Sequence, residues 1–343
     1  MEQHQKLIEN MSTTNTINLK NRPTGKPVLA DFDFTTTTIP DLHDGEVLLK
    51  STYVSVDPYL RGRMTDAPSY IPPFELGKPI LSGAIAEVIE SRNSRFRKGE
   101  YVSGMLQWKE TQTAQGDGLV VVDPNKAPLS AYLGILGLTG LTAYHGLMEI
   151  GKPKKGETLV VSGAAGAVGS VVGQIGKLLG LRVVGIAGTD EKVEMLQSEF
   201  GFDEGINYKT TENIAKAIAK ACPDGVDVYF DNVGGDISDA VLFNINKHSR
   251  TINCGAIAVY NDTKMPKSIS VQPFLVKNSA LMQGFIVSDF AEKHTEAIKQ
   301  LAGWLQQSKL KYTETIEEGF ENIPQAFLDL FEGKNKGKMM VKI

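Results

Sequence analysis

Residues 158–180 read TLVVSGAAGAVGSVVGQIGKLLG, and a second apolar run, RVVGIA, follows at 182–187. The first five residues are strand-like, a helix is expected from Gly166 to about Leu179, and a turn of small residues joins the two. Ala164, Gly166 and Gly169 fall at the three small positions of a Gly-x-Gly-x-x-Gly turn. Without bulky side chains there, the backbone can approach a pyrophosphate, whose charge the first N–H groups of the following helix stabilise. A lone glycine-rich turn is equally a packing device; the strand before, the helix after and the second strand make this one a dinucleotide site.

The alternation continues outward from that unit. A helix is expected from Asp190 to Phe200, a strand at GINY (205–208), a helix over Thr211–Ala221 and a strand at VDVYFD (226–231). A helix after Gly235, strands at RTINCG (250–255) and LMQGFIV (281–287) and a helix over Ala291–Gln307 complete the series. Six strands with intervening helices predict an α/β, doubly wound parallel sheet. From Ile17 to Val122 the text differs: short apolar runs such as EVLLKSTYVSVDPYL and PILSGAIAEVIES are broken by Pro and Gly, the pattern of a mainly β domain. The last residues hold one amphipathic helix near Ile323–Phe331 and a strand, MMVKI, expected to return to that β domain. The predicted organisation is therefore residues 1–138 and 311–343 as one β-rich domain, with a Rossmann domain over 139–310 inserted.

Composition narrows the function. Forty Asp and Glu against 36 Lys and Arg give a formal charge of −4, which argues against nucleic acid as the partner. Two cysteines are too few for a disulfide scaffold or a Cys-rich zinc lobe, and a reduced, cytoplasmic setting is expected. The amino terminus lacks the basic patch and apolar core of a signal peptide and reads as a polar tail, with Met11 an alternative start. Ala127–Met148 and Thr158–Leu181 are nearly free of charge, yet Gly, Ser, Thr, Gln and Tyr interrupt both too often for the ~20 apolar residues of a membrane span. The histidines (4, 43, 145, 248 and 294) have no metal-ligand spacing, and no Gly-x-Ser-x-Gly elbow is present, so neither zinc nor covalent catalysis is expected. His145 reads as a packed helix residue.

Cofactor choice rests on the end of RVVGIA. An NAD site places a carboxylate there for the ribose 2′-hydroxyl, whereas this chain has Gly188-Thr189 and then Asp190-Glu191-Lys192. Gly188 leaves room for a 2′-phosphate and Lys192 can meet its charge, which favours NADP(H). The alternative makes Lys192 a solvated lysine and the two acids ordinary helix-start residues.

These stretches, with STYVSVDPYLRGRM (51–64), GTDEKV (188–193), INYKT (206–210), YFDNVGG (229–235), CGAIAVYN (254–261) and GKNKGKMMVKI (333–343), resemble the zinc-independent medium-chain dehydrogenase/reductases. Within them the likeness is to NADPH-dependent alkenal/one oxidoreductases, also called prostaglandin reductases or leukotriene B4 dehydrogenases, and to curcumin-reductase-like proteins. It runs from about Ile17 to Ile343. The resemblance implies a GroES-like β catalytic domain around the Rossmann domain. It puts Ala165, Gly166, Ala167 and Val168, with Gly169, on the pyrophosphate, and Lys192 and Tyr208 beside Gly188 on the 2′-phosphate. Asn232, Cys254, Gly255, Ala256, Ile257, Tyr260, Phe285, Ile286 and Val287 would line the nicotinamide, with Asn335 reaching in from the carboxy-terminal segment. Taken singly, Tyr208 or Phe285–Val287 could be plain strand residues and the DNVGG stretch a plain turn.

The implied reaction is NADPH-dependent reduction of the carbon–carbon double bond of α,β-unsaturated aldehydes and ketones, hydride going to the β-carbon. Tyr260 would donate a hydrogen bond to the enolate oxygen, and Tyr53 would help line the substrate site with the loop 64–74. A phenol of pKa ~10 keeps its proton at neutral pH, as that role requires. Quinone reduction with the same cofactor is the alternative, and a non-catalytic NADPH-binding sensor or structural module is the reading from another class. A small-molecule substrate and a homodimer are the partners implied.

Overall fold

Where β-branched residues alternate with polar ones, the chain pairs into antiparallel strands. The computed structural model describes residues 13–343; the alternative start at Met11 lies outside them. β1 (Thr13–Leu19) pairs antiparallel with β2 (Phe32–Thr38). β3 (Val47–Ser55) is flanked by β4 (Leu81–Ser91) and β6 (Thr111–Ala114), while β4 leads to β5 (Tyr101–Gln107) and then β7 (Val120–Val122). One face is apolar at every second residue: Ala84, Ala86 and Val88 of β4 enter a core with Leu49, Val102 and Trp108. Trp108 stacks on Phe32 at 6.1 Å, and its indole N–H donates 2.8 Å to Ser82 Oγ, which satisfies that buried donor.

The second set of strands is parallel throughout. β8 (Thr158–Ser162), β9 (Arg182–Ala187), β10 (Glu204–Asn207), β11 (Val226–Asp231), β12 (Ile245–Asn253) and β13 (Leu281–Gly284) lie in the order β10-β9-β8-β11-β12-β13. All five pairings are parallel, so the order reverses between β8 and β11, as in a Rossmann sheet. β8 is buried along its whole length, as a central strand covered on both faces must be. Phe202, in the loop before β10, packs its ring against both the helix Gly169–Leu178 and β9, so that a Cβ on Gly173 would sit 1.8 Å from the ring and one on Gly185 2.8 Å from it. Of the final strands, β14 (Glu314–Glu318) pairs with β15 (Lys338–Lys342), and β15 runs antiparallel to β3, with Val341 opposite Val54 and Lys342 opposite Tyr53.

By contacts the chain forms two units. One comprises the residues up to Leu133 with Ile316–Lys334 and Met339–Ile343; the other is Gly134–Thr315 with Asn335–Lys338. The two uncharged stretches become ordinary local structure, a 3-10 turn and the helix Leu138–His145 in one, β8 and its helix in the other. No helix among the described residues is long and apolar enough to cross a membrane.

Several boundaries differ from the sequence reading. The helix after β8 starts at Gly169 and not Gly166, because residues 163–168 are used by the turn. The strand expected over 281–287 stops at Gly284, so Phe285, Ile286 and Val287 lie beyond its end, and the next helix divides into a 3-10 segment, Val287–Lys293, and His294–Gln306. The break falls at Phe290, whose φ of −109° and ψ of 19° are not helical. A short helix, Gln272–Asn278, has no counterpart in the reading: Pro273 in its first turn reads as a breaker, and no residue of the helix is buried to mark a face.

The Gly173 contact generates a test. Gly173→Ala forces Phe202, itself only 4% exposed, out of place. Urea denaturation should show a loss of about 1–3 kcal/mol; unchanged stability would mean that the helix does not need this close approach.

Candidate functional site

The parallel sheet ends, at the carboxyl side of β8 and β11, in one buried carboxylate. Asp231 Oδ1 accepts from Ser162 Oγ and Tyr229 Oη, both at 2.8 Å, and from the N–H groups of Val233 and Gly234, both at 2.9 Å. Its carbonyl accepts from the N–H groups of Cys254 and Gly255 at 2.8 and 3.1 Å. Asn232 then donates through its backbone N–H to Ser162 Oγ and through Nδ2 to the Ser162 carbonyl. The ends of β8, β11 and β12 are thereby fixed against each other, at the edge where a doubly wound sheet binds ligands. Neither Asp231 nor Ser162 was singled out from sequence; their signal was only that each closes an apolar strand with a polar residue.

The glycine-rich turn stands beside this network. Gly163 has φ +58°, the left-handed region that glycine tolerates. A Cβ on Gly169 would lie 2.5 Å from the Gly163 carbonyl oxygen, so the turn closes only without a side chain there. Gly166 bridges to Gly337, and the Gly337 N–H donates 2.8 Å to the Ala165 carbonyl. Asn335 is brought to the same place, with its Nδ2 donating 2.8 Å to the Gly337 carbonyl. Ala165, Gly166, Ala167, Val168, Gly169 and Asn335 thus form one group.

A second group surrounds Gly188. A Cβ placed there would meet Tyr208 Oη at 3.2 Å and Lys209 Cε at 3.3 Å. Thr189 caps the helix Asp190–Ser198, its hydroxyl accepting 3.2 Å from the Lys192 N–H. Burial first, and then the like charges of Lys209 and Lys336, hold the Lys192 ammonium below the ordinary lysine range. Three lysines gathered around a side-chain-free turn suit an anion, and no carboxylate occupies the place of a ribose 2′-hydroxyl ligand. Lys209 and Lys336 were missed from sequence: INYKT and GKNKGKMMVKI were quoted as motifs, but only folding brings their lysines to Lys192. The residues present fit a dinucleotide carrying a 2′-phosphate.

The third group is the turn after β12. Tyr260 folds back so that its hydroxyl accepts 3.2 Å from the Ala256 N–H and stands 3.2 Å from where a Gly255 Cβ would be. Burial, chiefly, raises its pKa, with the Ala256 hydrogen bond opposing, so the phenol is protonated at neutral pH. The Cys254 thiol is pushed up to about 12 by burial and the nearby Asp231 charge. A cavity of about 390 Å³ opens here, lined by Asp231, Cys254, Gly255, Ala256 and Tyr260 among others; none of the glycine-rich turn or the lysine group lines it. Phe285 instead joins an aromatic cluster with Phe230 and Phe290. His145 is fully buried in the same unit, stacked on Phe290. Tyr53 lies in the other unit, on β3 opposite Ile85 of β4.

A parallel sheet of this order, with a bare glycine-rich turn and lysines around the end of its second strand, defines a dinucleotide-binding fold. Comparison with known proteins agrees. Residues 15–122 match the family model described as the N-terminal domain of oxidoreductase, and residues 167–306 the model described as zinc-binding dehydrogenase. YfmJ of Bacillus subtilis (strain 168), provisionally named an NADP-dependent oxidoreductase, is 57% identical over 95% of this chain and 97% of its own. The 2-alkenal reductase (NADP(+)-dependent) of Nicotiana tabacum is 40% identical over 95% of this chain and 96% of its own. The crystal structure of CurA in complex with NADPH from Vibrio vulnificus superposes with a TM-score of 0.91, at 41% identity, covering 96% of this chain and 98% of that one. The chain belongs to the medium-chain dehydrogenase/reductase family, on its branch of NADPH-dependent alkenal/one oxidoreductases. It is an NADP-dependent oxidoreductase, with NADP(H) as its cofactor.

The zinc in the second family model's description finds no matching donor set among the described residues. Among the described residues no three His, Cys, Asp or Glu side chains converge as a metal ion needs, and Cys222 is sealed in the apolar core of the Rossmann sheet.

The Asp231 network can be weighed by mutation. Asp231→Ala strands two hydroxyls and two backbone N–H groups, and should cost about 3 kcal/mol or more in urea denaturation. Asp231→Asn keeps one acceptor oxygen and should cost less than half as much; equal losses would assign the effect to the charge and not to the acceptor.

Proposed function

We propose that this chain is a 2-alkenal/enone reductase, carrying hydride from NADPH to the β-carbon of α,β-unsaturated aldehydes and ketones. The observation that carries the reading is the placing of the Tyr260 hydroxyl. Because it accepts from the Ala256 N–H, its own proton is directed away from the turn, toward where negative charge would build on a substrate oxygen. Bound NADPH supplies the hydride. Tyr260 then stabilises the enolate oxygen by hydrogen bonding, and the proton for the α-carbon comes from the same hydroxyl or from water. The resemblance of the chain to a 2-alkenal reductase supports this substrate class.

In this reading Ala165–Gly169 hold the pyrophosphate, Gly188, Lys192 and Tyr208 the 2′-phosphate end, and Asn232, Cys254–Ile257, Tyr260 and Phe285–Val287 the nicotinamide, with Asn335 completing the phosphate turn and Tyr53 lining the substrate site. Residues 1–138 and 311–343 make up the GroES-like catalytic domain and 139–310 the nucleotide domain. The chemistry needs no metal, and the setting is the cytoplasm. Two copies associate through β13, the last strand of the parallel sheet among the described residues, whose Leu281 is exposed, as is Val276 in the helix that precedes it in sequence.

Loss of NADPH absorbance with a 2-alkenal, an enone and a quinone tests the assignment. Wild type should turn over the alkenal and enone faster than the quinone, giving the saturated carbonyl. Tyr260→Phe should lower kcat by about 10²-fold, and Lys192→Ala should raise KM for NADPH by roughly 10- to 100-fold while sparing that for NADH. Quinone turnover alone would replace this reading with quinone reduction; no turnover would leave an NADPH-binding module. Light scattering should give twice the chain mass for wild type and the chain mass for Val276→Glu/Leu281→Lys; a wild-type monomer would refute the dimer.

A further inference from the structure

The carboxy-terminal segment does more than close the β domain. Residues Asn335–Lys338 belong to the nucleotide-binding unit. Their backbone is held at four points: Gly337 N–H to the Ala165 carbonyl at 2.8 Å, Lys338 N–H to the Thr313 carbonyl at 3.0 Å, and Lys336 through its N–H and its carbonyl to Thr315 Oγ1, both at 2.9 Å. A Cβ on Gly337 would fall 1.7 Å from the Thr313 carbonyl oxygen, so this path admits only glycine. From that fixed backbone Lys336 extends to Glu191, in the first turn of the helix Asp190–Ser198, and forms an ion pair with its carboxylate.

That carboxylate sits among cations. Lys192 is the next residue, and Lys209 stands over Gly188. Lys336 is close enough for its charge to act on Lys192. The neighbouring acid, Asp190, is already bonded by Asn207 Nδ2 at 2.6 Å. Glu191 is therefore the acid that meets Lys336, and it is 71% exposed, whereas Lys336 is 39% exposed. An exposed pair of this kind has little stability of its own to defend. A phosphate dianion brought beside Lys192 offers Lys336 a doubly charged acceptor in place of a singly charged, well-hydrated one.

We propose that Lys336 is a third lysine of the 2′-phosphate site, held by Glu191 until a 2′-phosphate arrives and then shared with it, so that the Glu191–Lys336 pair sets the preference for NADP(H) over NAD(H). This rests on the reading that Lys192 marks the 2′-phosphate end. Lys336 assists as a ligand, and Glu191 opposes it as a competitor for the same ammonium and as a like charge to the phosphate.

The two partners must then act with opposite sign, which a merely structural ion pair would not do. Calorimetric titration with 2′,5′-ADP, and with 5′-AMP as the probe lacking the 2′-phosphate, reads this without turnover. Lys336→Met should weaken 2′,5′-ADP by about tenfold and leave 5′-AMP unchanged. Glu191→Gln should tighten 2′,5′-ADP several-fold, and Lys336→Arg should retain most of the wild-type affinity. NADPH and NADH titrations of the same variants should follow the two probes. Parallel weakening by Lys336→Met and Glu191→Gln, with a matching fall in Tm, would overturn the proposal in favour of a structural strap. A Lys336→Met protein that binds 2′,5′-ADP like wild type, while Lys192→Ala weakens it, would overturn it and leave the parent reading standing. No effect from Lys192→Ala would refute the parent reading, and with it this one.

Discussion

The buried carboxylate of Asp231 is the point on which the nucleotide-binding unit turns. Three strands whose order is not that of the sequence must end in register for their loops to make one surface, and backbone pairing alone does not hold the loops beyond the last rung. Asp231 does so by accepting from a side chain on β8, from a tyrosine on its own strand and from the N–H groups of the turn that follows. Its carbonyl holds the start of the loop that carries Tyr260. A charged acceptor in a dry setting makes each of these bonds stronger than it would be in water, and makes each donor costly to leave unmet. The strand end from which the glycine-rich turn departs and the turn that carries Tyr260 are consequently held by one polar network.

Much of this was legible in the amino acids. The parallel sheet followed from the alternation of apolar runs, and β8, β9, β10 and β11 were placed within a residue at both ends because each is a short apolar segment bounded by Gly or a polar residue, whereas β12 starts five residues before Arg250 and β13 stops three short of Val287. Lys192 stood out because no carboxylate follows RVVGIA, whereas Tyr208 was reached only through the family resemblance, and it is folding that sets its hydroxyl beside Gly188. What was not legible is non-local. The convergence of Lys209 and Lys336 on Lys192 depends on where a distant segment docks, and no local pattern in GKNKGKMMVKI announces it. Likewise the helix expected from Ala291 begins as a 3-10 segment and becomes α-helical only at His294, a boundary that periodicity does not encode. Tyr53 illustrates the opposite limit: its strand was readable, but a place on a strand says nothing of which substrate it meets.

The electrostatics of the lysine group show why a site for an extra phosphate differs from one for a hydroxyl. A hydroxyl is met by one acceptor in a fixed direction, so a single carboxylate at a strand end suffices. A phosphate presents several oxygens and a diffuse double charge, which flexible ammoniums from separate elements can meet without a common geometry. In the proposed site they would come from the helix start, the end of β10 and the carboxy-terminal segment, beside the acids Asp190 and Glu191 at the helix amino terminus, where the helix dipole also favours negative charge.

The bond from Gly337 to Ala165 has one more consequence, for how the protein is made. The glycine-rich turn leaves the ribosome early, and β9 to β13 with their helices follow it, so the sheet can assemble while the segment that completes the turn is still to be synthesised. A contact of such long sequence separation forms late in folding. All six strands of the parallel sheet are thus synthesised before the glycine whose N–H meets the Ala165 carbonyl.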